Sequence, residues 1–439
     1  MAGGLKGRLA RLRGEAGRQD LSAEGLTARD PLATGGAKEP RRAAMVRQRH
    51  HRVPPPFLEG WTEIAELVWS RELRRPLDFP PSIDPRPFMS MLALRRMGTG
   101  GQPGGAPDQV TRGEVAAVQR EAAPIPSALL RFFDLETTGL SGGSGTIAFL
   151  AAVGRVGSGG LVITQLFLED YPGERVWLDR LLGHFGPDAV AVTYNGRAFD
   201  MPLLRTRCIM NGMAPPALPH IDALAAARRL WKSRAGGASL ALIERAILDL
   251  RRVDDIPGSL IPELWLSFLR SGEAPLMATA LSHNADDIEG LARIVGRIAD
   301  LYDDPSASAA SEYVDAGGLG RSLAMLGRFE EAEPFLRSSL MRGDEDSGLR
   351  LARILWRSGR MDELRAVVEL LPQSLGGCLL RSRVQERVLG DARSALQWAS
   401  RAERLAPSES QRAALARRCR RLRARVGKDG EGSGEGAEP

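Results

Sequence analysis

The chain is predicted to fold as an α/β domain, a mixed sheet flanked by helices, followed by an all-α domain of helical repeats. Three observations carry that prediction. Strand-type runs cluster just after residue 127 and then give way to alternating helical and strand segments. Beyond residue 311 every periodic segment is helical. In that region Gly327, Gly359 and Gly390 recur 32 and 31 residues apart, each ending one helical segment shortly before another begins.

Taken in order, residues 1–52 carry 12 Lys/Arg against 5 Asp/Glu and read as a basic disordered arm, with Leu5, Leu9 and Leu12 able to line a short basic helix. The remainder sums to −1, so the basic excess reads as a property of the arm. Residues 53–126 read as a partly ordered segment and linker. WTEIAELVWSREL (61–73) is expected to be a helix, with Ile64, Leu67 and Val68 at helical spacing, before Pro- and Gly-rich stretches.

Residues 127–303 form the predicted α/β domain. ALLRFFDLE is a short strand, and TIAFLAAVGRV and LVITQLFLED flank GSGG as a hairpin. WLDRLLGHF is a helix, AVAVTY a buried strand, and DMPLLRTRCIMNG a helix stopped by Asn-Gly. Three more helical segments follow, and HNADDIEGLARIVGRIADLY closes the domain as a long amphipathic helix. Residues 311–426 form the repeats, which resemble tetratricopeptide units. Their last segment, QRAALARRCRRLRARV, puts Leu415, Cys419, Leu422 and Val426 on one face and seven arginines on the others, as a capping helix or a surface for an anionic partner. Residues 427–439 read as a disordered tail.

Cys208, Cys378 and Cys419 are too dispersed for a zinc site or a disulfide framework, which points to a reducing cytoplasm. The basic N-terminus has no apolar core of a signal peptide, and no apolar run approaches the ~20 residues of a membrane span. No membrane partner is expected.

The chemistry begins at FFDLETTGL. In a strand Asp134 and Glu136 point to one face with Leu135 on the other, and two adjacent carboxylates repel unless a cation neutralises them. Divalent ions with oxygen ligands do so. A further acid, Asp200, sits at a helix start in YNGRAFDMPLL, where an Asp also serves as a cap. Phe199 beside it is expected in the core rather than as a base-stacking platform. In LSHNADDIEGLARIVGRIAD, Asp287 shares a helical face with Leu291, Ile294 and Ile298, whereas Asp286 falls with Gly290, Arg293 and Arg297 toward solvent. Asp222 reads equally as an accessory acid or a helix cap. SGGSGT (141–146) lacks the ending of a phosphate-binding P-loop and reads as a turn.

DLETTGLSGGSGTIAFL, YNGRAFDMPLL, HIDALAAARRLWK, DDIPGSLIPELW and LSHNADDI, in this order, resemble the blocks of the YprB-type ribonuclease H-like domain, within the DEDD superfamily of 3′–5′ exonucleases. The resemblance spans some 170 residues. It implies a ribonuclease H-like fold and a two-metal-ion phosphodiesterase acting on DNA or RNA, with Asp134, Glu136, Asp200 and Asp287 holding two Mg²⁺ or Mn²⁺ ions. Thr137, Thr138, Gly139, Leu140, Asn195 and Asn284 are the expected substrate contacts, Asn195 alternatively serving local geometry. One departure stands out. Relatives keep Tyr three intervening residues before the third-motif Asp, or His four before it. Here His283 occupies the tyrosine register, where a near-neutral imidazole suits holding or deprotonating the attacking water. Two other readings remain open at this point: a nucleic-acid-binding protein with little nuclease activity, and an adaptor that acts through a protein partner on its repeats.

Overall fold

In the computed structural model of the chain, the residues described are 54–88, 123–139, 145–252, 256–272, 274, 276–308 and 314–431, the side chains of 428–431 excepted. The expected basic arm, Leu140, residues 141–144 of the Gly-rich turn and residues 432–439 lie outside them.

The sheet has seven strands in the order β1-β2-β7-β6-β5-β8-β9. They are β1 (Thr62–Ala65), β2 (Val68–Arg75), β5 (Leu130–Thr137), β6 (Ala148–Gly157), β7 (Gly160–Leu168), β8 (Val190–Thr193) and β9 (His220–Asp222), with β3 (Ser82–Ile83) and β4 (Ile125–Pro126) pairing separately. Strands β5, β6 and β7 run antiparallel, and β8 and β9 continue the sheet parallel to β5. The sheet is mixed and flanked by helices, as the sequence predicts.

One element departs from expectation. Residues 61–73 are not a helix but contribute to the β1–β2 hairpin, whose turn places Leu67 at φ 64°. A 13-residue window of polar and apolar residues satisfies helical spacing by chance. The open edge of β7 decides the outcome: β2 pairs with it over eight residues, from Val68↔Leu168 to Arg75↔Leu161. Without that strand, the β7 edge would leave its amides and carbonyls without sheet partners.

Helices cover both faces. One face carries Phe133, Leu135 and Phe149 and packs on α1 (Glu174–Leu182), α2 (Asp200–Met210) and α5 (Ile261–Ser271) through Trp177, Leu203, Leu204 and Trp265. The opposite face carries Phe132, Ala152 and Ile163 and packs on α3 (Leu224–Ala235), α4 (Leu240–Ile247) and the long α6 (Met277–Asp303). Gly154 of β6 lets α6 lie close, since a Cβ there would stand 2.5 Å from Ile288 Cγ2. That contact brings residues 283–287 alongside β5.

After α7 (Pro305–Ser308) the chain forms antiparallel helical hairpins: α8 (Ala316–Met325) with α9 (Phe329–Met341), α10 (Glu345–Arg357) with α11 (Met361–Leu370), and α12 (Leu375–Arg387) with α13 (Ala392–Leu405). The repeat glycines Gly327, Gly359 and Gly390 sit in the tight turns at φ 80°, 75° and 73°, left-handed positions that favour glycine. A final helix, α14 (Glu409–Glu431), packs on α13 and extends past the expected end of order at Val426. Leu415, Cys419 and Leu422 are buried beneath it. The repeats share a core with the α/β domain, because one apolar cluster runs from Phe132 and Ile288 through Leu319 and Leu323 to Leu355. At the junction Asp315 N donates to Leu230 O at 2.8 Å, and a Cβ on Gly318 would lie 1.7 Å from the Arg229 carbonyl oxygen. Among the described residues no helix is long and apolar enough to cross a membrane.

Candidate active site

Asp134 and Glu136 lie on the β5 face that looks toward α6, two residues beyond the buried Phe132 on the same face. Leu135 turns into the opposite core, so strand alternation alone presents both acids together. The ladder to β6 shifts register between Glu136 and Thr137, and the chain then bends away. In that bend Thr137 Oγ1 donates to Gly139 O at 2.9 Å, and Thr138 Oγ1 accepts from Ile147 N at 3.0 Å. Both hydroxyls thus shape the loop expected to meet substrate.

Helix α6 delivers Asn284, His283 and Asp287. Asn284 is fully buried, so it stands behind the acids rather than on a substrate-facing surface, contrary to expectation. Its Nδ2 donates to Asp134 Oδ2 at 2.8 Å, and its Oδ1 accepts from Gln165 Nε2 at 2.9 Å. Gln165 in turn accepts from Arg71 Nε at 2.7 Å. Since a guanidinium only donates, Arg71 fixes the orientation of both amides, and the chain ends on an N–H aimed at Asp134.

Asp287 meets a cation that the sequence reading missed. Arg252 Nη2 lies 2.5 Å from Asp287 Oδ1, and the same guanidinium donates to both carboxylate oxygens of Glu244 on α4, at 2.9 and 2.7 Å. Removing one partner of such a buried pair costs about 3–5 kcal/mol. Gly290, expected toward solvent, is buried because Glu244 fills the space of its missing side chain: a Cβ there would be 1.7 Å from Glu244 Oε1. His283 stands in the second turn of α6. Its Nε2 is 3.7 Å from Asp287 Oδ2 and its Nδ1 is 3.4 Å from Arg252 Nη1. Ligand atoms of Glu136, His283 and Asp287 all fall within 4.8 Å of one another, close enough to share a metal ion.

Asp200 reaches the same place from α2. It is buried, and the tight passage beneath it requires Gly196, whose Cβ would stand 2.8 Å from Asp200 Oδ2. Asn195 adopts φ 70°, a left-handed turn that Asn tolerates. Asp222 holds this turn: its carboxylate accepts from Asn195 N at 2.9 Å, Arg197 N at 3.1 Å and Leu224 N at 3.0 Å. The same side chain thus ties the first amide of α3 to this loop. Phe199 is 51% exposed and not in the core. It and the exposed Arg197 project from the loop that leads into Asp200.

Gathering acids from separate elements is electrostatically costly. Burial holds Asp134 well above the usual carboxylate range, with Asp287 and Asp200 adding to the rise while Asn284 and Arg252 oppose it. Burial, then Asp134, Asp287 and Asp200, do the same to Glu136. Asp200 is pushed up to about 7, again chiefly by burial, against hydrogen bonds from the main chain of Asp200 and Leu135. A carboxyl whose folded pKa exceeds its unfolded value binds more protons when folded, so its contribution to stability is lost as pH rises through the folded value. These acids should therefore make the metal-free chain less stable at pH about 8 than at about 6. Mn²⁺ should raise the thermal midpoint more at the higher pH, where fewer protons compete for the acids. Melting curves with and without Mn²⁺ at the two pH values check this, and a metal-induced shift that ignores pH would contradict it.

Comparison with known proteins locates the domain. Residues 131–299 match the RNase_H superfamily. Over 165 residues the chain is 39% identical to the uncharacterized protein YprB of Bacillus subtilis (strain 168). That similarity takes in 37% of this chain and 40% of the relative's length.

Proposed function

We propose that the RNase H superfamily domain at residues 131–299 is a metal-dependent nuclease, a 3′–5′ exonuclease that hydrolyses phosphodiester bonds of DNA or RNA. Asp134, Glu136, Asp200 and Asp287 are its metal-holding acids, for two Mg²⁺ or Mn²⁺ ions. The observation that supports this reading best is that Asp200 on α2 and Asp287 on α6 come close enough to the β5 acids to add to the rise in pKa of Asp134 and Glu136. A fold without a cation to bind gains nothing from that repulsion. Carboxylate oxygens with one imidazole fit Mg²⁺ or Mn²⁺ better than a softer metal.

When bound, two such ions supply stabilisation of the attacking and leaving oxygens of an in-line displacement. The protein's own groups do the rest. Asn284 orients Asp134, and Arg252 orients Asp287 so that its second oxygen faces His283 and Glu136. His283 holds the attacking water at Nε2. Phe199 and Arg197 offer a base-stacking ring and a phosphate partner beside Asp200. Work from a 3′ end releases nucleoside 5′-monophosphates. The free, buried cysteines fit a cytoplasmic protein, and the helical hairpins offer a surface to a protein partner.

The Arg252–Asp287 pair favours one rival, a nucleic-acid-binding domain whose third acid is committed to arginine. Purified protein with Mn²⁺ on end-labelled single- and double-stranded DNA and RNA decides between them. Stepwise shortening from the 3′ end, abolished by chelator, is expected. Full cleavage in excess chelator would sink the metal mechanism, and no cleavage of any substrate would favour the rival.

A further inference from the structure

Charge outside the N-terminal arm is not evenly spread. Residues 53–374 hold 34 Lys/Arg against 41 Asp/Glu, whereas residues 375–426 hold 13 arginines, no lysine and four acids. The basic excess is therefore not confined to the arm. It has a second centre at the end of the repeats, on a body that is otherwise mildly acidic.

Helix α14 gives that centre its form. Its buried face, Leu415, Cys419 and Leu422, seals the last hairpin. Arg418 lies 2.6 Å from Glu386, which Arg421 also pairs, and the Glu386 side chain is only 4% exposed. Arg418 from inside and Arg421 from the rim thus lock the helix in orientation on a buried acid. The others, Arg412, Arg417, Arg420, Arg423 and Arg425, are exposed along about 20 Å of helix. No acidic residue occurs between Glu409 and Asp429, so no acid on α14 lies within one turn of Arg417, Arg420 or Arg423. Arginines three and four apart on one helix repel. A cap needs only a polar outer face, and alternating charges would serve it without that repulsion.

We infer that the outer face of α14 is a docking surface for the phosphodiester backbone of a nucleic acid. Guanidinium groups pair bidentately with phosphate oxygens, and a polyanion relieves the repulsion that the bare helix carries. Contacts of this kind fix position without reading sequence. The inference rests on the nuclease reading for its choice of polyanion, and it gives the substrate a second foothold on a rigid part of the chain, remote in sequence from the acids.

The test is fluorescence anisotropy with the full-length chain in chelator, where no cleavage is expected, using labelled 30-nucleotide single- and double-stranded DNA and RNA across a salt series. The variant Arg417→Gln/Arg420→Gln/Arg423→Gln/Arg425→Gln keeps helix-forming side chains and removes like charges, so its thermal midpoint should not fall. Its affinity should drop roughly tenfold or more at about 0.1 M salt. The slope of log affinity against log salt should flatten by about three, since each phosphate contact contributes roughly 0.7–0.9. The corresponding quadruple lysine variant should keep most of the slope. Relative losses on single strands and duplexes identify which form docks. An unchanged slope on all four nucleic acids overturns the inference, as does equal binding to polyglutamate or to anionic lipid vesicles. Absence of cleavage by the wild-type chain with Mn²⁺ would count against the nuclease reading and leave these binding results intact.

Discussion

Asp134→Ala or Asp287→Ala is expected to lower metal-dependent phosphodiester cleavage by several orders of magnitude, because each removes a ligand from a site where two ions share the developing charge. Asp134→Asn, which removes the charge but keeps an oxygen to accept from Asn284 Nδ2, should also raise the thermal midpoint of the metal-free chain. Burial and the neighbouring Asp287 and Asp200 all disfavour a charge at that position, so deleting the charge relieves strain that only a cation otherwise relieves. Activity falling while metal-free stability rises is a signature that a merely structural acid does not produce. Asp287→Ala differs instructively, since it also strips Arg252 of an ion-pair partner and should give little or no stability gain. Asp286→Ala is the control and should be nearly silent. Rates and melting curves for these variants decide the matter, and equal losses at 286 and 287 would show that the wrong helical face was assigned to metal binding.

His283→Ala carries the next largest expected effect, a fall in maximal rate of roughly 10²–10⁴ with metal affinity nearly unchanged. The geometry refines how the imidazole acts. Its Nδ1 lies 3.4 Å from Arg252 Nη1, a group that only donates, which suits a ring with Nδ1 as acceptor and the hydrogen on Nε2. In the proposed mechanism that N–H holds the water by donation. A phenol also donates, so His283→Tyr should keep more activity than His283→Ala. Single-turnover rates and Mn²⁺ titration separate the outcomes. An alanine variant at the wild-type rate removes His283 from the chemistry, whereas a large loss of Mn²⁺ affinity makes it a ligand beside Glu136 and Asp287.

Local periodicity explains what could be read beforehand. Alternation in β5 put Asp134 and Glu136 on one face, and helical spacing separated Asp287 from Asp286. The repeat glycines marked turns because left-handed backbone leaves few alternatives. Contacts set by tertiary packing were not legible. Arg252 lies 35 residues from Asp287 on an irregular stretch, and nothing in its neighbourhood signals that α4 and α6 will trap it between Glu244 and the site. Gln165 looked like an ordinary polar residue within a strand, yet it is buried and joins Arg71 to Asn284. Phe199 looked like core because it follows a buried strand, but the Gly196 turn swings it outward. The β1–β2 hairpin went unread because its partner edge lies some ninety residues downstream.

The junction at Gly318 has a mechanical consequence. The α8 backbone is seated on the Arg229 carbonyl of α3, so among the described residues the repeats meet the α/β domain there with no side chain between them. Any load placed on them bears directly on α3. The first turn of α3 is stitched through Asp222 to the Asn195 and Arg197 amides, and that loop ends on Asp200. An unbroken path of contacts thus joins the helical hairpins to one acid of the site.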